Sequence, residues 1–541
     1  MRLNYLLFFF VILIYSCANQ VAPTGGPKDA TPPKAISAEP QDKNTNFKGN
    51  KVIINFDEYI KVDNVLQNVI VSPPLKTFPE IESKGKSLQI TFKEPLKDNT
   101  TYTINFGDAI KDITEDNVQR AITYVFSTGP FIDSFSIQGI ALSANKSEVV
   151  EGALVLLYDD LSDTAIIKSK PYYYSVSDKS GRFKIENIKE GRYQLFALKD
   201  ANFNLQYDLP NEEIAFLDSF VKIDSSKSPS YQLNLFQEQS SQPKLLDTYV
   251  KSKDRITFTY SQAIDSIGIT PLDSTTFTNS QLEYNLTRDT ITLWYNRHTA
   301  NPRFVLTAND SIRDTVTISR KPFPLDSNAY TKLSIISSFS SKRGDQIQNL
   351  YEPVECEFNH PIDSVDTNRI IVYEDTLGTT PVTADIQMAE LSNRKLLVSN
   401  KWKEDTWYTF SLGAGAFTDI YGRQNDSTKL IFKTPTADDY GTLVLSINGL
   451  QKNEQYIISL FLPNSVPVYS NTLKGLDSTT ITIPHLEAKG YQLKIIKDRN
   501  ANGKWDSGNY PQRRQPEKIY MHPNLIEIKP NWEIKAAVDL K

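Results

Sequence analysis

Asp98-Asn-Thr-Thr-Tyr-Thr-Ile104 is a turn signal that runs straight into a strand signal, and it decides the fold. Asp and Asn bond back to their own backbone and bend the chain, whereas β-branched and aromatic side chains suit a pleated, half-buried surface. Thr101-Tyr-Thr-Ile-Asn-Phe106 is therefore read as a strand. Lys51-Val-Ile-Ile-Asn-Phe56 and Ser87-Leu-Gln-Ile-Thr-Phe92 are of the same kind and are bounded by Asn, Asp, Gly and Pro clusters. Short strands at this spacing predict β-sandwiches. No long stretch has helical periodicity; Val62-Asp-Asn-Val65 and Asp363-Ser-Val-Asp366 are each long enough for a single turn.

The opening stretch occurs twice. Glu404-Asp-Thr-Trp-Tyr-Thr-Phe410 matches it, and the match extends outward on both sides. Ile54-Asn55-Phe56-Asp57 pairs with Glu355-Cys356-Glu357-Phe358-Asn359, and Ile110-Lys-Asp-Ile113 with Phe417-Thr-Asp-Ile420. Tyr124-Val125-Phe126-Ser127-Thr128 pairs with Leu430-Ile431-Phe432-Lys433-Thr434. These residues resemble the bacterial immunoglobulin-like domain of surface-layer proteins, the SbsA type, in which a D-x-x-Y-T strand precedes a D-x-x-G turn. The second copy has that turn as Asp419-Ile-Tyr-Gly422; the first has Asp112-Ile-Thr-Glu115, without the glycine.

Each copy is followed by a further related segment. Ile137-Gln-Gly-Ile140 opens one that ends Gly191-Arg-Tyr-Gln-Leu-Phe-Ala-Leu-Lys-Asp200, and Ile447-Asn-Gly-Leu450 opens one that ends Gly490-Tyr-Gln-Leu-Lys-Ile-Ile-Lys-Asp498. With Gly152-Ala-Leu-Val-Leu-Leu157 and Ser177-Asp-Lys-Ser-Gly-Arg-Phe-Lys-Ile185, the first resembles the prealbumin-like (carboxypeptidase regulatory-like) β-sandwich of many bacterial surface proteins. The second lacks the Asp178-to-Phe183 turn. Strands such as Ile256-Thr-Phe-Thr-Tyr260 and Thr290-Ile-Thr-Leu-Trp-Tyr295 mark a degenerate sandwich between the two units. The expected fold is all-β, a tandem array of about five β-sandwich domains after a lipoprotein signal peptide. The expected bounds are 34–129 (Ig-like), 130–239 (prealbumin-like), 240–328 (degenerate), 329–436 (Ig-like) and 437–541 (prealbumin-like).

The start of the chain gives the compartment. Arg2 and the apolar run Leu6 to Ile14 form a secretory signal, residues 1–16, too short for a spanning helix of about 20 residues. Ile14-Tyr15-Ser16-Cys17 resembles the lipobox of bacterial lipoproteins, with Tyr15 bulkier than the usual small residue. That resemblance implies lipid on Cys17 and, with no Asp after it, anchoring at the outer membrane, on the periplasmic or the extracellular face. Residues 17–33 hold Pro23, Gly25-Gly26-Pro27 and Pro32-Pro33, which break helix and strand alike, and are read as a tether.

A net charge of -5 over 541 residues, with both signs mixed throughout, leaves no footprint for nucleic acid. Cys356 would be left without a mate if Cys17 carries lipid, so the fold does not depend on disulfides. Strand alternation turns Cys356 to the same side as Val354 and Phe358, as a core residue. Catalytic patterns are missing: the four histidines, His298, His360, His485 and His522, have no metal spacing, and there is no nucleophile elbow or phosphate-binding loop. An enzyme is not expected.

Two patterns carry candidate chemistry. Asp498, Asn500, Asn502, Lys504 and Asp506 follow EF-hand-like spacing, with Lys504 offering its carbonyl, and Asp200, Asn202, Asn204, Gln206 and Asp208 repeat it less well. Calcium is the candidate cofactor. Position 12 holds Asn211 or Asn509 where a bidentate Glu is wanted, and a hairpin whose Asp and Asn bond back to their own backbone is the alternative. Secondly, Asp followed by Ser or Thr and a small or apolar residue recurs, resembling an O-glycosylation sequon of Gram-negative bacteria. It implies sugar on Thr164, Ser266, Ser274, Thr290, Ser311, Thr315, Ser364, Thr376, Ser427 or Ser478; turn and strand-entry preference explains the same residues. Tyr172-Tyr173-Tyr174, Trp402 and Trp407 are a sugar-stacking surface or core packing. The expected function is a non-enzymatic, lipid-anchored cell-envelope scaffold with envelope proteins or glycans as partners. The alternatives are a glycan-capture lipoprotein and an accessory subunit of an outer-membrane machine.

Overall fold

The structure is a computed structural model. It describes residues 29–540 apart from 120–121, 203, 225–227, 240–241, 253, 273–277, 297–302, 318–331, 339–346 and 464–466. The expected signal segment, Cys17 and most of the expected tether lie outside the described residues. Among the described residues regular structure is nearly all β, with two four-residue α-helices, Val65–Asn68 and Ala165–Lys168, and two short 3-10 turns, Thr367–Arg369 and Ala437–Asp439. The turn expected at Val62 to Val65 begins only at Val65. Asp363 to Asp366 forms no turn: Ile362–Val365 is a strand, because pairing with Phe417–Asp419 outweighs the local Asp-Ser preference. No described helix is long and apolar enough to cross a membrane.

Two compact units are present: one runs to Leu142 and from Val149 to Leu235, the other holds Ser143–Glu148 and Phe236 onward. In the first, strands Ala35–Glu39, Lys51–Phe56, Ser87–Thr91 and Glu80–Lys84 form one sheet, and Ile70–Ser72, Thr101–Asn105 and Thr123–Ser127 another. Lys51–Phe56 alternates buried and outward residues, so Val52, Ile54 and Phe56 meet Tyr102, Ile104 and Phe126 in one core. A separate core gathers Ile137, Val155, Leu157, Phe183, Leu195 and Leu233 under the strands from Phe135 to Gln237. Asn117 Nδ2 donates to the carbonyl of Asp29 at 3.0 Å, which ties the last part of the expected tether to the first sandwich.

Among its described residues the second unit holds three cores. Ile256, Phe258, Leu293, Phe304 and Leu306 form one; Val354, Cys356, Phe358, Tyr408, Phe410 and Phe432 the next. The last contains Leu443, Leu445, Ile458, Leu493 and Ile495. Burial of each such side chain contributes about 1.5–3 kcal/mol, enough for separate small cores. In the last sandwich, Tyr440–Asn448 is flanked by Ser478–Glu487, antiparallel, and by Glu533–Asp539, parallel. Its other sheet runs Pro467–Lys474, Gln455–Phe461, Gly490–Asp498, Ile519–Met521.

Equivalent positions make equivalent bonds. Lys97 N donates to Tyr102 Oη and Lys403 N to Tyr408 Oη, each at 2.9 Å. Tyr102 stacks on Phe126 at 5.3 Å and Tyr408 on Phe432 at 5.5 Å. The D-x-x-G turn shows how the first copy manages without glycine. Gly422 takes the left-handed conformation at φ 77°, and in the first copy Asp116, one place later, takes it at φ 64° while Asp112 accepts from the backbone of Glu115, Asp116 and Asn117.

Candidate functional site

The two Asp/Asn loops each follow a core strand, Gly191–Lys199 or Gly490–Asp498, and close by similar bonds. In the later loop, Asp498 Oδ1 accepts from Asn502 N at 3.2 Å and Oδ2 from Gly503 N at 2.9 Å. In the earlier one, Asp200 accepts from Asn202 N at 3.1 Å and Leu205 N at 2.8 Å. Gly503 and Leu205 both sit at positive φ, 79° and 63°, so the leucine bears a strain that the glycine avoids. Asn500 and Asn502 donate to Asp506 Oδ2 at 2.6 and 2.7 Å; Asn202 and Asn204 donate to Asp208 at 3.2 and 2.8 Å. Lys504 and Gln206 each donate their backbone N–H to the preceding loop amide, Asn502 or Asn204.

A buried glutamate grips each loop from outside, which spacing did not reveal. Glu212, fully buried, accepts from Ala201 N, Asp208 N and Leu209 N at 3.0–3.1 Å. Glu517 accepts from Arg499 N at 2.7 Å and Asp506 N at 3.1 Å. Burial pushes the Glu517 carboxyl up, with Asp506 and Asp498 adding to it. Glu212 stands one place past the sought position 12, and Glu517 lies beyond an insertion, so neither fits the EF-hand template. Among the described residues, no group of three His, Cys, Asp or Glu side chains converges to hold a metal ion.

The second candidate is a joint between two sandwiches of the second unit. His360, in the link between Val354–Phe358 and Ile362–Val365, is 1% exposed. Its Nε2 lies 3.7 Å from Asp254 Oδ2 and its Nδ1 3.6 Å from Asp419 Oδ2, ion-pair distances for a protonated ring. Trp294 and Tyr421 meet the imidazole edge-on at 6.1 and 5.5 Å. Burial, then the Arg423 guanidinium, lowers the His360 pKa to about 4 against the pull of Asp254. Beside it Arg394 Nε donates to both oxygens of Glu283 at 3.1 and 3.0 Å and Nη1 to the Phe358 carbonyl at 2.9 Å, while Nη2 pairs with Glu357. Trp294 Nε1 and Ser392 Oγ also donate to Glu283, at 2.8 and 2.7 Å. The partners of His360 come from stretches far apart in the chain.

Thr164, Ser311, Thr315, Ser364, Thr376, Ser427 and Ser478 are exposed, Ser266 and Thr290 half-buried, and Ser274 lies outside the described residues. Asp375 closes its own turn, accepting from the backbone of Leu377, Thr379 and Thr380. Tyr173 and Trp402 are core residues, which removes them from any sugar-stacking surface; Trp407 is exposed. His485 stacks on Tyr351 at 3.7 Å, and His298 lies outside the described residues.

Residues 29–128 match the sequence family described as bacterial Ig-like domain. No curated protein matches the chain. Similar solved structures include native alpha-2-macroglobulin from Escherichia coli spanning domains MG0-NIE-MG1 (9% identity, 36% of this chain and 92% of that one, TM-score 0.18). Others are surface layer protein SbsC, domains 1-6 (9%, 74% and 66%, 0.17), and BcpA, the major pilin subunit of Bacillus cereus (10%, 75% and 99%, 0.13). At these scores none of them bears on what this chain does.

Proposed function

We propose that the chain is a non-enzymatic scaffold of the cell envelope, anchored at the outer membrane by lipid on Cys17, that carries interaction surfaces on a series of β-sandwiches. The observation that supports it is the interlocking of successive sandwiches inside each unit. In the second unit the Arg394–Glu283–Trp294 bonds splice one sandwich to the next, and Tyr440 Oη, donating to Asn349 at 3.2 Å and accepting from Leu350 N at 2.8 Å, splices that one to the last. In the first unit Asn187 Nδ2 donates to Thr103 Oγ1 at 3.0 Å, Asp133 N donates to Thr101 Oγ1 at 2.9 Å, and Lys97 lies over the Tyr172 ring. Fixed joints suit a load-bearing spacer rather than domains that must move to turn over a substrate.

Cys17→Ser tests the anchor: the folded protein should move from the membrane fraction to the soluble one, and retention at the membrane overturns the lipid reading. Protease added to intact cells then distinguishes the two faces of the outer membrane. Dose-dependent sugar binding on a glycan array, lost in Trp407→Ala, would replace the scaffold with glycan capture, and stable copurification with a membrane complex would make it an accessory subunit. The exposed Asp-Ser and Asp-Thr sites are proposed attachment points for O-linked sugar, read out by intact mass.

A further inference from the structure

The two prealbumin-like segments agree around their loops and differ on one sheet face. Counted back from Asp200 and Asp498, Phe196 and Lys494 hold the same place. In the earlier segment Phe196 stands opposite Leu156 and edge-on to Tyr158 at 5.6 Å, and these three with Leu198 and Ile166 are at most 1% exposed. That face is sealed. In the later segment Lys494 stands opposite Ser459 on one side and Met521 on the other, within a row Ser470, Ser459, Lys494, Met521 that crosses four strands. Ile457 and Ile496, opposite each other one row along on the same face, are 7% and 8% exposed, while Leu493 and Ile495 point into the core.

Lys494 is half-buried in this setting, and no described residue gives its amine a hydrogen bond or an ion pair. Ser459, itself 5% exposed, has its hydroxyl 3.3 Å from that of Ser470. An ammonium ion in apolar surroundings without a carboxylate is costly, and the cost falls as the amine gives up its proton. Burial alone accordingly lowers the proton affinity of Lys494, with no carboxylate opposing it. A desolvated amine is a nucleophile at a pH where an exposed lysine is not.

We propose that Lys494 is a covalent modification site whose amine takes carbonyl electrophiles of the aldehyde class. The nitrogen adds to the carbonyl carbon, the two amine hydrogens leave with the carbonyl oxygen as water, and a C=N bond replaces the C=O bond. No oxidant, reductant or metal is consumed. Ser459, adjacent in the row, is the hydroxyl placed to relay a proton to the departing oxygen.

The test uses the full chain, butanal as probe, cyanoborohydride to trap the imine, and peptide mass mapping across pH 6.5 to 10. Lys494 should be labelled about tenfold faster than the median lysine at pH 7, because a lowered proton affinity raises the fraction of free amine, and should approach its plateau rate at lower pH. Lys494→Met, which restores an apolar row, should lose that label and melt no lower than the wild type. Labelling of Lys494 at or below the median rate, or with the pH profile of the exposed lysines, overturns the proposal: the stem is then packed and the amine reaches water. The decisive readout is on the wild type, so it does not depend on any variant folding.

Discussion

His360 is neutral when its joint is packed and titrates with an ordinary pKa of 6.5 when the chain is unfolded, against about 4 in place. The unfolded state therefore binds the proton first, and stability that is complete above pH 6.5 drains away as pH falls toward 4. About 3 kcal/mol is at stake, since every tenfold change in proton affinity is worth about 1.4 kcal/mol. Hydrogen exchange at the joint amides should accelerate over that window in the wild type more than in His360→Asn, whose side chain does not titrate; parallel curves would remove His360 as the cause. Arg394 lies alongside, 12% exposed, facing Glu283 and Glu357 at 17% and 23%. Arg394→Met strands two half-buried carboxylates and should cost about 3 kcal/mol, with Glu283→Gln added in the same chain recovering part of it. Neither residue was legible as a partner of the other. Cys356 was, because strand alternation alone puts it beside Val354 and Phe358, and all three are buried.

The Asp/Asn loops show where reading from spacing stops. Asp, Asn, Asn and Asp at alternate places were visible because the loop is local; the glutamate was not, because a residue that clamps a loop from outside obeys no fixed spacing. Glu212→Ala would leave three backbone N–H groups without their acceptor and should lower stability by about 3 kcal/mol, whereas Glu212→Gln, which keeps one oxygen, should lose less. The carboxylates of Asp498 and Asp506 are already engaged by the loop's own N–H groups and amides. The melting midpoint should therefore be the same in chelator and in millimolar calcium. A calcium-dependent rise that vanishes in Asp498→Ala would make the loop a weak calcium site of the kind its spacing suggested.

For the molecule as a whole, the sandwich architecture was legible because period-two alternation and turn residues recur along the chain. The joints were not, because each gathers single residues from separate stretches, as Glu283, Trp294, His360 and Arg394 do. The pairing of Glu533–Asp539 with Tyr440–Asn448 has a different consequence, one of timing. Tyr440–Asn448 is made first in its sandwich and occupies the centre of its sheet, yet the strand on its parallel side is the last of that sandwich to be made. Such distant pairing closes slowly, since the intervening loop must be ordered first. While the chain is being made, the half-built sandwich leaves one side of its central strand open to whatever strand arrives, until Glu533–Asp539 joins it.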